Sequence, residues 1–414
     1  MFNTDNLYSQ VIGPTQPDIE VGSTVEYPSD SYGEYYGEEG LNIPWGWIIS
    51  LFVFIGALVG GFLYAKKKLK KKDRDEKSME GVLMEVRVPR NNEIEIGVAE
   101  KMFANLYGIG GKGDGLAEKF SVNNCVSFEM VGLPGEIRFF VHTPKKLMDL
   151  VEKQILGSYQ DADVAVVEEY NIFAPNSEVE YAQLGLDEEQ YCPIRGAEDF
   201  TGDPMANVLS ALSKMSQGEG ALVQLVVSPT NSNWQKNGEK FVQKVQNNNS
   251  DPEKSKINVS QEKLEGISKK VSKPGMMTEI RIVTSAPQKA IAKMHLDNII
   301  GAFDQYSNPG INRLKKRKLP RNKKKSFLYD VVYRRTPQDE RTIFNLEELA
   351  ALYHFPNKDV ATPNIKWLLS KELIADNDIS SDVNSKDTIW IGNRSDCSTI
   401  IVPCFERDDR RRHA

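Results

Sequence analysis

The sequence predicts an α+β protein: a single transmembrane helix, then tandem ferredoxin-like (split βαβ) α/β sandwiches, a small helical segment and the first strands of a further domain. Three observations carry this. A charge-free apolar segment runs from Pro44 to Ala65. An internal repeat joins "GEIRFFVHTPKKLMDLVEKQILGSY", from Gly135, to "TEIRIVTSAPQKAIAKMHLDNIIGAF", from Thr278. Near the end, "DTIWIG" and "STIIVPC" read as paired strands with turn residues between them.

Residues 1–43 hold eight acids and no Lys or Arg, so the remainder of a chain with net charge -6 stands at about +2. Their Tyr, Ser, Gly and Pro content leaves too few large apolar side chains to bury a core, which predicts a disordered tail. At 1.5 Å rise, the roughly 20 apolar residues of 44–65 cover the hydrocarbon core of a bilayer. Trp45 and Trp47 at one end and Tyr64 at the other stand where amphipathic rings favour the headgroups. Lys66, Lys67, Lys68, Lys70, Lys71 and Lys72 follow at once, within a basic linker over 66–80. Positive charge on one flank alone places the N-terminus outside and the bulk of the chain in the cytoplasm, as a single-pass protein of the cytoplasmic membrane. A cleaved signal peptide fits poorly, because an acidic tail precedes the apolar run where a basic region belongs.

The repeat sets the next boundaries, a first α+β domain at 81–190 and a second at 191–335 with an insertion at 246–262. Glu136-Ile137-Arg138 match Glu279-Ile280-Arg281, and Pro144 and Lys146 match Pro287 and Lys289. Upstream, "LMEVRVP" and "LVQLVVSP" are also alike. The first copy reads β-α-β-β-α-β. In its second helix Leu147, Leu150, Val151 and Ile155 form an apolar stripe at helical spacing. Between the copies a linker helix is bounded by Asp203 as N-cap, Pro204 in first position and Gly218 after the last turn. The insertion, rich in Asn, Ser and Lys, reads as a polar loop between two helical stretches. A helical segment over 336–375 opens on Asn345 with Glu348 as its capping-box partner. Leu346, Leu349, Ala350 and Tyr353 face inward there, and Pro356 is the stop.

Little of this carries chemistry. The four cysteines are scattered and the four histidines share no metal spacing. "GIGGKGDG" at 108–115 lacks the G-x-x-x-x-G-K-[ST] spacing of a phosphate loop and follows a helix, so it reads as a surface loop. "RLKKRKLPRNKKK", residues 313–325, has nine basic residues in thirteen. Lys315, Lys316, Arg317, Lys318, Arg321, Lys323, Lys324 and Lys325 are candidates for phosphate or lipid contact, and nonspecific nucleic-acid contact stays open. His354, beside Phe355, reads as a packed histidine rather than a ligand.

"VEKQILGSYQDADVAVVEEYNIF", "DPMANVLSALSKMSQGEGALVQLVVSP", "LEELAALYHFP" and "IGNRSDCSTIIVPCFERDDRRRHA" resemble, in order, the membrane-anchored N-terminal region of bacterial type IV secretory or conjugative transfer ATPases of the HerA and FtsK class. In that family a "DR-x-RH" element leads directly into a strand and the Walker A loop. Asp409, Arg410, Arg412 and His413 match it, so 376–414 would be the start of an ATPase domain cut short before its phosphate loop. The resemblance implies ATP and magnesium for the missing part only, with no cofactor, metal or catalytic residue in this chain. It further implies a homo-oligomer working with other components of a secretion channel. A standalone membrane adaptor is the alternative, and an enzyme in its own right would need a polar constellation that the sequence does not offer.

Overall fold

The computed structural model describes residues 45–108, 125–250, 257–319, 324–335 and 342–368, and four short strands between 388 and 406. The chain divides into two units, Met1–Gly61 and Phe62–Ala414. Helix α1, Trp45–Met79, contains the apolar segment, and its stretch Ile48–Ala65 is long and apolar enough to cross a membrane. The backbone stays helical through the lysines up to Met79, where the sequence predicts a linker. Lys is a good helix former, and no Gly or Pro interrupts 62–79.

The second unit is built on one antiparallel sheet of nine strands: β1 (Gly81–Arg87), β2 (Val126–Leu133), β3 (Glu136–Pro144), β4 (Asp163–Val166), β5 (Glu178–Leu186), β6 (Gly220–Pro229), β7 (Gly275–Ala286), β8 (Leu314–Lys316) and β9 (Ile343–Asn345). Their order is β4-β1-β3-β2-β6-β7-β5-β8, with β9 on β7. Strands β2 and β6 close the middle over seven residue pairs, from Val126↔Val227 to Gly132↔Ala221. The expectation of two separate α+β domains therefore gives way to one sheet running through both. The reason lies in those two strands. Every residue of β2 but Leu133 and every residue of β6 but Pro229 is buried, so neither strand tolerates being an edge.

Helices α2 (Gly97–Tyr107), α3 (Met148–Ser158), α4 (Ala206–Leu212), α7 (Lys289–Ala302) and α9 (Leu346–Leu352) supply the main core, where Phe103, Val151, Leu209, Leu296 and Leu349 meet Phe128, Val141, Val223 and Ile282 of the sheet. Helix α4 sits so close to β2 that a Cβ at Gly132 would lie 2.6 Å from the Leu212 carbonyl oxygen. Helices α5 (Asn233–Ser250) and α6 (Gln261–Ser272) form a hairpin around Trp234, Val245, Leu264 and Ile267. Helix α8 (Lys324–Val332) lies on a second cluster, with Phe327 and Val331 against Leu83, Phe140, Leu222 and Val283.

The repeat holds in part. Glu136 opens β3 and Pro144 ends it, and Pro287 lies between β7 and α7. Glu279, however, sits inside β7, which starts at Gly275 because Gly275–Met277 pair with β9. The likeness of "LMEVRVP" to "LVQLVVSP" does not give equivalent places: β1 lies between β4 and β3, β6 between β2 and β7. Strand β5, within the predicted first domain, is hydrogen-bonded between β7 and β8.

Smaller corrections follow from caps and burial. Leu150 is 41% exposed while Val151 and Ile155 are buried, so the stripe of α3 is narrower than its spacing suggests. Around α4, Asp203 accepts a hydrogen bond from the Met205 amide (2.7 Å), but the regular helix begins at Ala206 and is capped by Ser213. Gly218 (φ +81°) serves a later turn. Within 246–262, α5 persists to Ser250 and Ser260 caps α6, while 251–256 lie outside the described residues. Among the described residues of 336–375, helix is confined to α9, seven residues long. Its capping box forms as the sequence predicts: the Asn345 side chain accepts from the Glu348 amide (2.8 Å), and the Asn345 amide donates to the Glu348 carboxylate (3.0 Å). The helix ends before Tyr353 rather than at Pro356. From there the chain returns to the first half of the sheet, where the Ile137 amide donates to the Asn364 carbonyl and the Leu368 amide to that of Val88. Near the C-terminus β10 (Thr388–Trp390) pairs with β13 (Cys404–Glu406) and β11 (Arg394–Asp396) with β12 (Thr399–Ile401), so the two predicted strands pair with other partners than each other.

Candidate functional site

Alternation along the strands puts one side chain from each of six neighbours into a transverse row beneath α8. In register these are Glu85 of β1, Phe140 of β3, Glu129 of β2, Gln224 of β6, Arg281 of β7 and Gln183 of β5. Five of the six are polar, in strands that are otherwise mostly apolar. Glu129, Gln224 and Arg281 find partners in α8 and the residues just past it, whereas Glu85 pairs with Arg138 (2.7 Å) and Lys366 (3.3 Å). Arg334, held in the left-handed region at φ +45°, directs its guanidinium at Glu129, with Nε 3.0 Å and a second nitrogen 3.2 Å from the two carboxylate oxygens. Glu129 is fully buried and also accepts from Ser127 (2.7 Å), Gln224 (2.8 Å) and Tyr170 (2.7 Å). Arg334 reaches both oxygens of Glu169 at 2.7 Å.

The second half of the row caps α8. Gln224 donates to the Val331 carbonyl (3.1 Å), and Arg281 donates to those of Asp330 (2.6 Å) and Arg335 (2.7 Å). The last carbonyls of a helix have no partners within it, and cations favour its negative end. Glu279 neutralises Arg281 from two residues away and accepts from Gln183. The Arg334 and Arg335 amides already cap the Val331 and Asp330 carbonyls, and the sheet adds a second, side-chain donor to each.

Electrostatics fix the ionisation of this network. Burial pushes the Glu129 carboxyl up, but the Arg334 charge and the hydrogen bonds from Arg334, Ser127 and Tyr170 more than offset it and hold it down to about 2. For Arg334 burial favours the neutral form, which the charge of Glu129 outweighs, so its pKa rises further. Neighbouring His142 is lowered to about 4, chiefly by burial and then by the Arg334 charge. Glu129, Arg334 and His142 therefore have no proton to exchange near neutral pH. The chemistry of the row is that of a clamp: it fastens α8 to the sheet.

Two other buried pairs hold α9. Lys270 of α6 lies 3.0 Å from Glu348 and donates to the Cys192 carbonyl (3.3 Å), and burial moves the pair toward its neutral forms, lowering Lys270 and raising Glu348. His354 donates from Nδ1 to the Ala350 carbonyl (2.9 Å), and its Nε2 lies 3.0 Å from an Asp203 carboxylate oxygen, a packed histidine as its sequence context suggests. His295 faces Glu219 at 3.0 Å. No group of three His, Cys, Asp or Glu residues suited to a metal occurs among the described residues.

The sequence-predicted contacts are spread out. Arg313 and Lys315 both pair with Asp187, at 2.9 and 2.8 Å, beside a groove lined by Asp304, Asn308 and Asn312. Lys316, Lys318 and Lys325 are exposed, Arg317 is half-buried against Gly185, and Lys324 donates to the Val179 carbonyl (3.2 Å). Tyr64 is exposed, and Trp45, Trp47, Lys66, Lys67 and Lys68 are placed on α1 by their backbone alone. Arg321, Lys323, Asp409, Arg410, Arg412, His413 and nearly all of "GIGGKGDG" lie outside the described residues. Sequence reasoning missed Glu129, Gln224, Arg281 and Arg334. The available signal was a charged or amide residue inside each apolar run: Glu129 in "VSFEMV", Gln224 in "LVQLVV", Arg281 in "EIRIV".

Residues 62–368 match the family described as Domain of unknown function (DUF8128). The chain belongs to this family. The DUF8128 match ends at Leu368, whose amide closes onto Val88 of the sheet. It takes in the whole row together with α8 and both pairs that hold α9. No curated protein matches the sequence. Among solved structures, one titled "Crystal Structure of Aclacinomycin Oxidoreductase" overlaps 55% of this chain and 41% of its own, at 11% identity and a TM-score of 0.26. This chain thus spans about two fifths of that structure's length, and nothing of that protein is carried over to the DUF8128 chain.

Proposed function

We propose that this chain is the membrane-anchoring and assembly region of a type IV secretion- or conjugation-type motor that moves DNA or protein, working at the cytoplasmic face of the membrane and not itself catalytic. The observation that carries the proposal is the charge-free stretch Ile48–Ala65, followed on one side only by a run of lysines and a large folded unit. The polar groups of that unit are spent on fastening elements together, which suits a scaffold. Its partners are the membrane, further copies of itself and other channel components.

The finer architectural reading belongs here as well. We read β1-α2-β2-β3-α3-β4 and β5-α4-β6-β7-α7-β8 as two ferredoxin-like units, because their spatial orders, β4-β1-β3-β2 and β8-β5-β7-β6, are the same. In this reading α5 and α6 are an insertion into the second unit, and β2 and β6 join the two.

The test is topological and biochemical. In a variant without native cysteines, a cysteine placed within 25–40 is labelled from outside by an impermeant maleimide and one at Ser78 is not. Equal labelling of the two removes the anchoring orientation. The same full chain shows no ATP-magnesium binding in a calorimetric titration. Binding that disappears in Lys112→Ala would instead make "GIGGKGDG" a nucleotide site and refute the non-catalytic reading.

A further inference from the structure

Helix α8 has two unlike faces. Phe327, Val331 and Arg334 form the buried one, fastened by the clamp. Lys325, Tyr329, Val332 and Tyr333, at i, i+4, i+7 and i+8, form the outer one. A surface helix normally turns polar residues outward. Here Tyr329, Val332 and Tyr333 are 54%, 50% and 37% exposed. The two tyrosine rings stack, with centroids 5.9 Å apart and planes 7° from parallel, and the Arg335 guanidinium lies 5.6 Å from the Tyr333 centroid. Just before α8 comes the basic stretch, which has no acid between Arg313 and Lys325. Lys316, Lys318 and Lys325 are exposed and make no ion pair among the described residues, and Arg313 and Lys315 share the single carboxylate of Asp187.

We propose that the outer face of α8, with exposed Lys325 and with Lys318 just before the helix in sequence, docks on an anionic lipid surface. Tyrosine rings with a short apolar patch suit the headgroup boundary, and lysines around them suit anionic headgroups. Three things favour this occupant. The charge is complementary. The clamp already holds the face rigid, so docking costs little further ordering. Under the anchoring reading, on which this inference rests, the bilayer is tethered to the chain and acts as an intramolecular partner at high effective concentration. A nucleic acid has no such advantage, and a second copy would bring the same positive charge against this face.

The full chain, reconstituted into liposomes of phosphatidylcholine alone or phosphatidylcholine mixed with phosphatidylglycerol, tests it by hydroxyl-radical footprinting of Tyr329 and Tyr333. Oxidation of both falls several-fold in the anionic liposomes and returns at high salt. Lys318→Glu/Lys325→Glu loses that protection, with affinity weakened roughly fivefold per basic residue removed, whereas Lys318→Arg/Lys325→Arg keeps it. Equal oxidation in the two lipids overturns the proposal. So does protection in phosphatidylcholine alone that appears on adding an oligonucleotide, or that grows with protein density, which would assign the face to nucleic acid or to a second copy. Failure of the anchoring reading is told apart by alkaline extraction: a chain that washes off phosphatidylcholine liposomes is not anchored, whereas one that stays yet shows equal oxidation is anchored without docking.

Discussion

Replacing Arg334 with methionine keeps most of the side-chain volume and removes the cation that pairs with Glu129 among the described residues. Glu129 is fully buried, and its carboxylate would keep only the neutral donors Ser127, Gln224 and Tyr170. Breaking a buried pair from one side costs about 3–5 kcal/mol, because the remaining charge is left uncompensated. The pH dependence gives an independent handle on the same number. Glu129 titrates at about 2 in the fold against an ordinary 4.5, a difference equivalent to about 3 kcal/mol. Because the folded value is depressed, that contribution is fully present above about pH 4.5 and is lost as pH falls toward about 2. In Arg334→Met burial is opposed only by the remaining neutral hydrogen-bond donors and raises the carboxyl, so the variant gains relative stability as pH falls. Urea unfolding of the full chain in detergent, followed by fluorescence of the buried Trp234, should therefore show a large gap from wild type at about pH 7 that narrows by about pH 3. Glu129→Gln/Arg334→Met should recover more than half of the loss, since no buried charge is left alone. A cost below about 1 kcal/mol, or a gap equal at both pH values, would refute the clamp.

The pair that holds α9 behaves similarly: Lys270→Met strands the buried Glu348 and costs about 3–5 kcal/mol, while Lys270→Met/Glu348→Gln costs clearly less, measured by the same unfolding titration. His142, lowered by burial to about 4 from an ordinary 6.5, stays neutral through mildly acidic pH. Its folded value lies below the unfolded one, so its contribution is complete above about pH 6.5 and lost as pH falls toward about 4. Imidazole NMR should show one histidine with unchanged shifts down to about pH 5, and a His142 signal that titrates near 6.5 would contradict its placement.

Local chemistry was enough for some elements. The apolar run of α1 is a matter of composition and length. The capping box of Asn345 with Glu348 depends on residues three positions apart, so sequence spacing reports it directly. The repeat located β3-α3 and β7-α7 for the same reason. Periodicity could also say that β2 and β6 are apolar on both faces, and hence interior. It could not say that they are each other's neighbours, which is a pairing between residues 95 positions apart at Glu129 and Gln224. The sheet order, the place of β5 and the capping of α8 by Arg281 and Gln224 all depend on that pairing. Main-chain hydrogen bonds between strands are nearly blind to side-chain identity, so which strand adjoins which is decided by the joint burial of two faces in the folded chain. Glu129 in "VSFEMV", Gln224 in "LVQLVV" and Arg281 in "EIRIV" were visible from the start. Only the register of the assembled sheet turned these residues into one row, and only the return of the chain at Arg334 gave that row its counter-charge.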